Sequence, residues 1–333
     1  MNITVIGGGT GTYTVLKGIK DIPNVNITAI VTSADSGGST GVLRDEFGTL
    51  PVGDFRQCIV ALAEDGASPQ NEHLFRDLFE YRFSKGGTGL SGHNFGNLFI
   101  TALTDILGSE ELAFRKVSKI LNIKGKVYPV TFEKIQLVAE YEDGSMLIGE
   151  KMIDEPPSVH DGTMRIKKLW VQPNAEVFAK SKESIMNSDL IVFGPGDLYS
   201  SIIANIVIDD FAGIISQSKA KIVFITNMMT KYSQTYDFKV SDFIEEVEKY
   251  LRKPVDYILV NSSPIPKDII ENYTVEKAIP VENDMKDDKR VIEADLISEI
   301  LYEQKNNDVV KRSVLRHSSK KIADELQRIL EKS

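Results

Sequence analysis

Six short stretches hold the residue types that could do chemistry. The first is Gly7-Gly8-Gly9-Thr10-Gly11-Thr12. Glycines there permit positive φ and let a ligand approach the backbone closely. Where a helix follows, its first N–H groups and positive dipole end suit a phosphate. The second runs from Ser33 to Arg44 and packs Asp35, Ser36, Gly37, Gly38, Ser39, Thr40 and Gly41 together. Arg44 can fork two phosphate oxygens. Asp35 can hold a ribose hydroxyl or a magnesium ion, or simply cap a helix. The third is Gly53-Asp54-Phe55-Arg56, where Asp54 is either a helix cap or a ligand-facing carboxylate. The fourth is Gly86 to Asn97, in which His93 either starts a helix or reads a sugar or base edge with Asn94 and Asn97. The fifth is Gly194-Pro195-Gly196-Asp197-Leu198-Tyr199-Ser200-Ser201, and the sixth is Thr226-Asn227-Met228-Met229-Thr230.

Several such loops at one edge describe a pocket for a polar, phosphorylated ligand. Other chemistries lose ground. The first loop is a poor dinucleotide fingerprint, because Thr12 stands where the third glycine belongs, and the second strand ends Val31-Thr32-Ser33 without an acidic tip. No G-K-[ST] follows a strand, so there is no P-loop. Neither a G-x-S-x-G elbow nor an H-E-x-x-H helix occurs. Cys58 lies in an apolar helical pattern and reads as core.

The elements that must position these loops follow from periodicity. Ile3–Ile6, Ile27–Val31, Leu190–Phe193, Ile222–Ile225 and Tyr257–Val260 are short, β-branched strand candidates. Helices are expected over Tyr13–Lys20, Gly53–Ala63, Asn71–Tyr81, Asn94–Leu107, Glu110–Leu121, Ala175–Asn187, Asp242–Leu251 and Lys320–Glu331. The alternation predicts a mostly parallel sheet with helices on both faces. Lys126–Val130, Ile135–Glu140, Met146–Glu150 and Thr163–Val171 read as strands, with a hairpin turn at Glu142–Ser145. They predict an antiparallel insertion at about 124–171 within a single unit spanning 1–333. Glu282–Arg290 reads as a charge-rich surface loop.

The 333 residues carry 39 Lys+Arg against 48 Asp+Glu, a net charge of −9. That balance argues against broad nucleic-acid or anionic-membrane binding and leaves a local basic pocket open. One cysteine excludes an intrachain disulfide and a Cys-based cluster, and four histidines show no metal-ligand spacing. No apolar run approaches the ~18–20 residues of a membrane span. The opening Met1-Asn2-Ile3-Thr4-Val5-Ile6 starts as a strand and lacks a secretory signal, so a cytoplasmic protein is expected.

In combination and order, the loops resemble the CofD-like family. The residues that carry the likeness are Gly7–Gly11, Ala34–Arg44, Leu50–Arg56, Tyr81-Arg82-Phe83, Ser91–Asn97, Gly194–Ile203, Asn227–Thr230 and Arg316-His317. The closer branch is the bacterial gluconeogenesis-factor group, regulators that bind UDP-N-acetylglucosamine or UDP-glucose and are linked to carbon metabolism and cell shape. The resemblance implies a Rossmann-like three-layer α/β/α fold with the ligand at the strand ends, and a homodimer. It implies that Gly8, Gly9, Thr10 and Gly11 cradle the diphosphate. Asp35, Ser39, Thr40 and Arg44 would hold ribose, sugar or phosphate. Asn97, Asn227 and Arg316 would complete the pocket, with Tyr273 as a stacking residue. The transferase branch moves a phospholactyl-type group from a GDP conjugate onto the deazaflavin Fo, with magnesium, for which Asp35 would be a ligand here. The family usually has two adjacent aspartates where this chain has Asp35-Ser36, which weakens the metal site and with it a transferase mechanism.

Overall fold

The computed structural model describes residues 1–64, 74–85, 87–299 and 314–332. Asn71 and Gly86, at which the third expected helix and the fourth expected loop begin, lie outside the described residues. Seven strands form one sheet, in the order β10-β9-β8-β7-β1-β2-β3. They are β1 (Asn2–Gly7), β2 (Asn26–Val31), β3 (Lys126–Pro129), β7 (Leu190–Phe193), β8 (Lys221–Ile225), β9 (Tyr257–Asn261) and β10 (Val291–Ala294). Every neighbouring pair in this sheet is parallel.

β1 is central. The chain moves outward through β2 and β3 on one side, and through β7 to β10 on the other. The gap between β1 and β7 is therefore the switch point, where connections leave in opposite directions and ligands bind beyond the carboxyl ends. Alternate strand residues feed the two faces. Ile3, Val5, Ala29, Val31, Val192, Val223 and Ile225 pack with helices α1 (Gly9–Ile19) and α3 (Gly53–Leu62) and with the terminal helix Ser319–Lys332. Ile6, Ile30, Ile191, Phe193, Ile222, Phe224 and Ile258 pack against the helices Phe211–Gln217 and Val240–Leu251 on the other face. Each fully buried aliphatic side chain here contributes about 1.5–3 kcal/mol.

A second sheet has three antiparallel strands, β4 (Gln136–Tyr141), β5 (Met146–Ile148) and β6 (Ile166–Gln172), in the order β5-β4-β6. Its Leu137, Ala139, Tyr141, Leu169 and Val171 join the core on the second face.

Three expectations need correction. Lys126–Pro129 belongs to the large sheet, parallel to β2, so the antiparallel insertion begins after it. Neighbouring strand segments in sequence do not show which sheet they join. β10 completes the far edge immediately after the charged loop and was not expected as a strand. The run Gly38–Phe47 is helix α2, although its glycines and hydroxyls read as loop. Its start is held by Asp35 and Gly37, and by Gly41, where a Cβ would sit 2.2 Å from Ser36 O.

Candidate functional site

α1 begins straight out of β1. Gly8 is its extended cap and Gly9 takes φ +61°, a conformation that favours glycine. A Cβ on Gly11 would lie 1.7 Å from Pro195 O, so the loops after β1 and β7 touch backbone to backbone. This contact closes the switch point. The amides of Thr10 and Gly11 are among the first four of the helix, which have no intrahelical carbonyl partner.

One helix-start amide is already taken. Gly9 N donates to Asp54 Oδ1 at 2.8 Å, and a Cβ on Gly8 would be 2.3 Å from Asp54 Oδ2. Asp54 is the second residue of α3, and its carboxyl reaches across to the neighbouring helix instead of capping its own. Asp35 follows β2 and accepts from Gly37 N at 2.9 Å and from the Thr40 hydroxyl, so it folds the turn ahead of α2, whose cap is Gly37. Burial raises Asp35 above the ordinary carboxylate range. Burial, with the Asp35 charge beside it, pushes Asp54 up to about 8. Near neutral pH Asp54 is thus mainly protonated. A neutral carboxyl at a helix start does not repel a phosphate and can donate to it.

Ser39, Thr40 and Asn97 come together below this corner. Asn97 Oδ1 accepts from Arg56 Nε at 2.9 Å, and its Nδ2 reaches Thr40 Oγ1 at 3.4 Å and Ser39 Oγ at 3.5 Å. Ser39 Oγ also meets His93 Nδ1 at 3.1 Å. Asn94 caps the helix Phe95–Leu107 by accepting from Asn97 N. The His93–Asn97 group therefore ties α2 to α3 and to the helix it opens. Arg44, one turn beyond Thr40, forks onto Asp45 through Nε and Nη2 at 3.1 and 3.0 Å. It lines a neighbouring cavity with Lys134.

Across the switch point the polar groups are paired. Asn227 Oδ1 accepts from Gly196 N at 3.5 Å, linking the loops after β7 and β8. Lys231 Nζ donates to Asp154 and, at 3.0 Å, to Asp197. Gln234 Nε2 bonds Asp154 and Ser200 Oγ, and its Oε1 accepts from Tyr199 N at 3.2 Å. Burial disfavours the Asp154 charge, but Lys231 outweighs it and holds Asp154 below the usual range. Burial wins at Asp197, which is raised. Asp154 ends the short helix Glu150–Asp154, an outgrowth of the small sheet. The other end of that helix holds the loop before α2, where Ser36 N donates to Glu150 Oε2 and Lys151 N donates to Ser36 Oγ. This helix spans both halves of the strand-end cleft.

Arg316 sits on a segment next to α1, where its charge is felt at Tyr13. Tyr273 is buried with Met228, Met229 and Leu315, and its hydroxyl accepts from Leu315 N at 3.1 Å, one residue before Arg316. The ring thus supports the Arg316 segment from beneath. His317 is buried, bonded to the Thr226 backbone, and burial pushes it down to about 4. Asn227 lines a cavity of about 260 Å³ with Asn261 and Ser263.

The structure thus gathers Gly8–Gly11, Asp35, Ser39, Thr40 and Asn97 around one corner, while Asn227 sits on the β7–β8 side. Glu150, Asp154 and Lys231 were not expected at the site. Lys231 lies 77 residues from Asp154, with no spacing in sequence to mark the pair.

Comparison with known proteins supports the same architecture. The family profile described as 2-phospho-L-lactate transferase CofD matches residues 3–299. A Thermotoga maritima relative is 40% identical over 329 residues, covering 99% of each chain. The Gluconeogenesis factor of Bacillus subtilis is 37% identical over 330 residues, covering 98% of each chain. A crystal structure of a Bacillus halodurans protein superposes with a TM-score of 0.85 at 36% identity, covering 98% of each chain.

Proposed function

Because the chain belongs to the CofD family, we propose that it is a receptor for a nucleotide sugar, UDP-N-acetylglucosamine or UDP-glucose. The observation that carries this reading is the corner at the switch point. There a glycine-started helix meets a carboxyl that burial keeps protonated, so a diphosphate is received by amides and a proton and not by a field of cations. This accords with a chain of net charge −9. Thr10 and Gly11 amides would take the diphosphate. Asn227 and Arg316 would close over the nucleoside. The receptor would work in the cytoplasm as a homodimer, reporting nucleotide-sugar supply to carbon metabolism and cell-shape control without turning the ligand over.

Phospholactyl transfer makes a further demand. Asp35 and Asp54 offer the hard oxygen donors that magnesium prefers. Among the described residues, however, no three His, Cys, Asp or Glu side chains form a metal-holding group. An ion here would take its other ligands from phosphate and water. Ser36, in place of a second aspartate, accepts a bond from Lys151 N at 2.9 Å and so braces the Glu150–Asp154 helix. These features favour binding over transfer.

Isothermal calorimetry with UDP-N-acetylglucosamine tests the reading. The expected result is saturable binding that Arg316→Ala weakens by about tenfold or more. No heat of binding at roughly millimolar ligand would overturn it. Magnesium-dependent product formation from a GDP conjugate and Fo would establish the transferase instead.

A further inference from the structure

A cavity of about 560 Å³ is lined by Arg44 and Asp45 of α2. That volume is within the ~300–1,000 Å³ usual for small-molecule sites. Its walls come from the end of β2, from α2 and the loop after it, and from β4 and β6 with their flanks. No lining residue comes from α1 or from the loops after β7 and β8, so this is not the nucleotide corner.

The wall carries uncommitted donors. Gln136 and Gln172 stand directly opposite each other as a cross-strand pair, which puts both carboxamides on one face at the end of the small sheet. Neither side chain bonds a described residue. Lys134 forms no hydrogen bond or ion pair among the described residues, and its field extends to Glu110. Arg44 stands on the opposite wall with its guanidinium edge on Asp45. Thr49 is only 8% exposed and its hydroxyl has no partner among the described residues. Ile135 adds apolar surface between them. A lysine, an arginine whose charge is shared with the lining Asp45, two amides and a hydroxyl around an apolar patch are the chemistry that holds a small hydroxylated anion.

We propose that this cavity is a second small-molecule site, which takes a hydroxylated metabolite bearing a phosphate or carboxylate group. α2 is the wall it shares with the nucleotide corner, since Ser39 and Thr40 face that corner and Arg44 faces the cavity. Occupancy would therefore be felt through one helix. The proposal does not depend on which nucleotide the first site accepts.

The chain's single tryptophan, Trp170, lies two residues from Gln172 on the same face of β6 and reports on the cavity. Glucose 6-phosphate and citrate are titrated separately into the full chain, followed by Trp170 fluorescence and by calorimetry. Saturable binding of either is expected, and which one binds tells phosphate from carboxylate. Lys134→Ala should weaken it by about tenfold and Gln172→Ala by roughly threefold. Both side chains are exposed, so neither change threatens the fold. UDP-N-acetylglucosamine affinity should stay within about twofold in both variants. No signal from either anion up to about 10 mM would overturn the proposal, as would unchanged affinity in Lys134→Ala. A parallel loss of UDP-N-acetylglucosamine binding in Lys134→Ala would also overturn it, by merging the two sites.

Discussion

The two sides of the strand-end cleft differ in whether a cation sits among their carboxyls. On the β7–β8 side, Asp154 and Asp197 share Lys231. On the β1–β2 side, burial raises both Asp35 and Asp54, and the Asp35 charge pushes Asp54 up further. The difference separates architecture from readiness. A paired cluster is finished and fixes the Glu150–Asp154 helix in place. A cluster that must hold protons can still change its charge state when a ligand arrives.

The comparison can be broken at the contact that joins the two sides. Gly11→Ala places a Cβ where Pro195 O already stands, and a carbonyl cannot swing aside like a side-chain tip. Urea unfolding should show a loss of about 3 kcal/mol, with nucleotide-sugar binding lost alongside. A stability change under about 0.5 kcal/mol would mean that the two loops are not pressed together.

Removing the shared cation should cost less. Lys231→Met leaves Asp154 and Asp197 beside each other without compensation. Full burial would make that loss about 3–5 kcal/mol. These side chains are 24–39% exposed, so screening brings the expected loss down to about 2 kcal/mol. Lys231→Arg should recover most of it, because the charge returns.

The smallest effect sharpens the contrast through pH. The folded Asp54 is raised to about 8, well above an unfolded aspartate. The folded state therefore binds the extra proton, and this group's contribution is fully present below about pH 4 and lost as pH rises through about 8. Asp54→Asn keeps an acceptor for Gly9 N and cannot ionise. Its melting temperature should fall less than the parent's between pH 6 and pH 9 by about 3 °C. Parallel curves would show that Asp54 is ionised throughout and that the corner is no reservoir of protons.

Much of this was legible in the chain. Short β-branched runs such as Leu190–Phe193, each followed by a glycine-rich or polar loop, read as buried strands of a covered parallel sheet, and their loops fall at one edge by topology. The glycine pattern at Gly7–Gly11 marked a close approach, and the structure supplies its partner in Pro195. Local signals failed where a long-range partner decided the outcome. α2 was hidden because Gly37 to Gly41 have low helix propensity, and its start depends on Asp35 and on packing against Ser36. β3 was grouped with its neighbours in sequence, while its hydrogen bonds go to β2.

The sequence by itself determined the fold class and the edge where chemistry gathers, because hydrophobic periodicity and glycine placement are local properties of the chain. Only the tertiary structure decided the charge of the site. Asp54 could cap its own helix or turn to another, and Lys231 could serve any acid within reach. Which carboxyl shares a cation and which keeps a proton depends on burial and on neighbours many residues away, and neither is written in the spacing of residues.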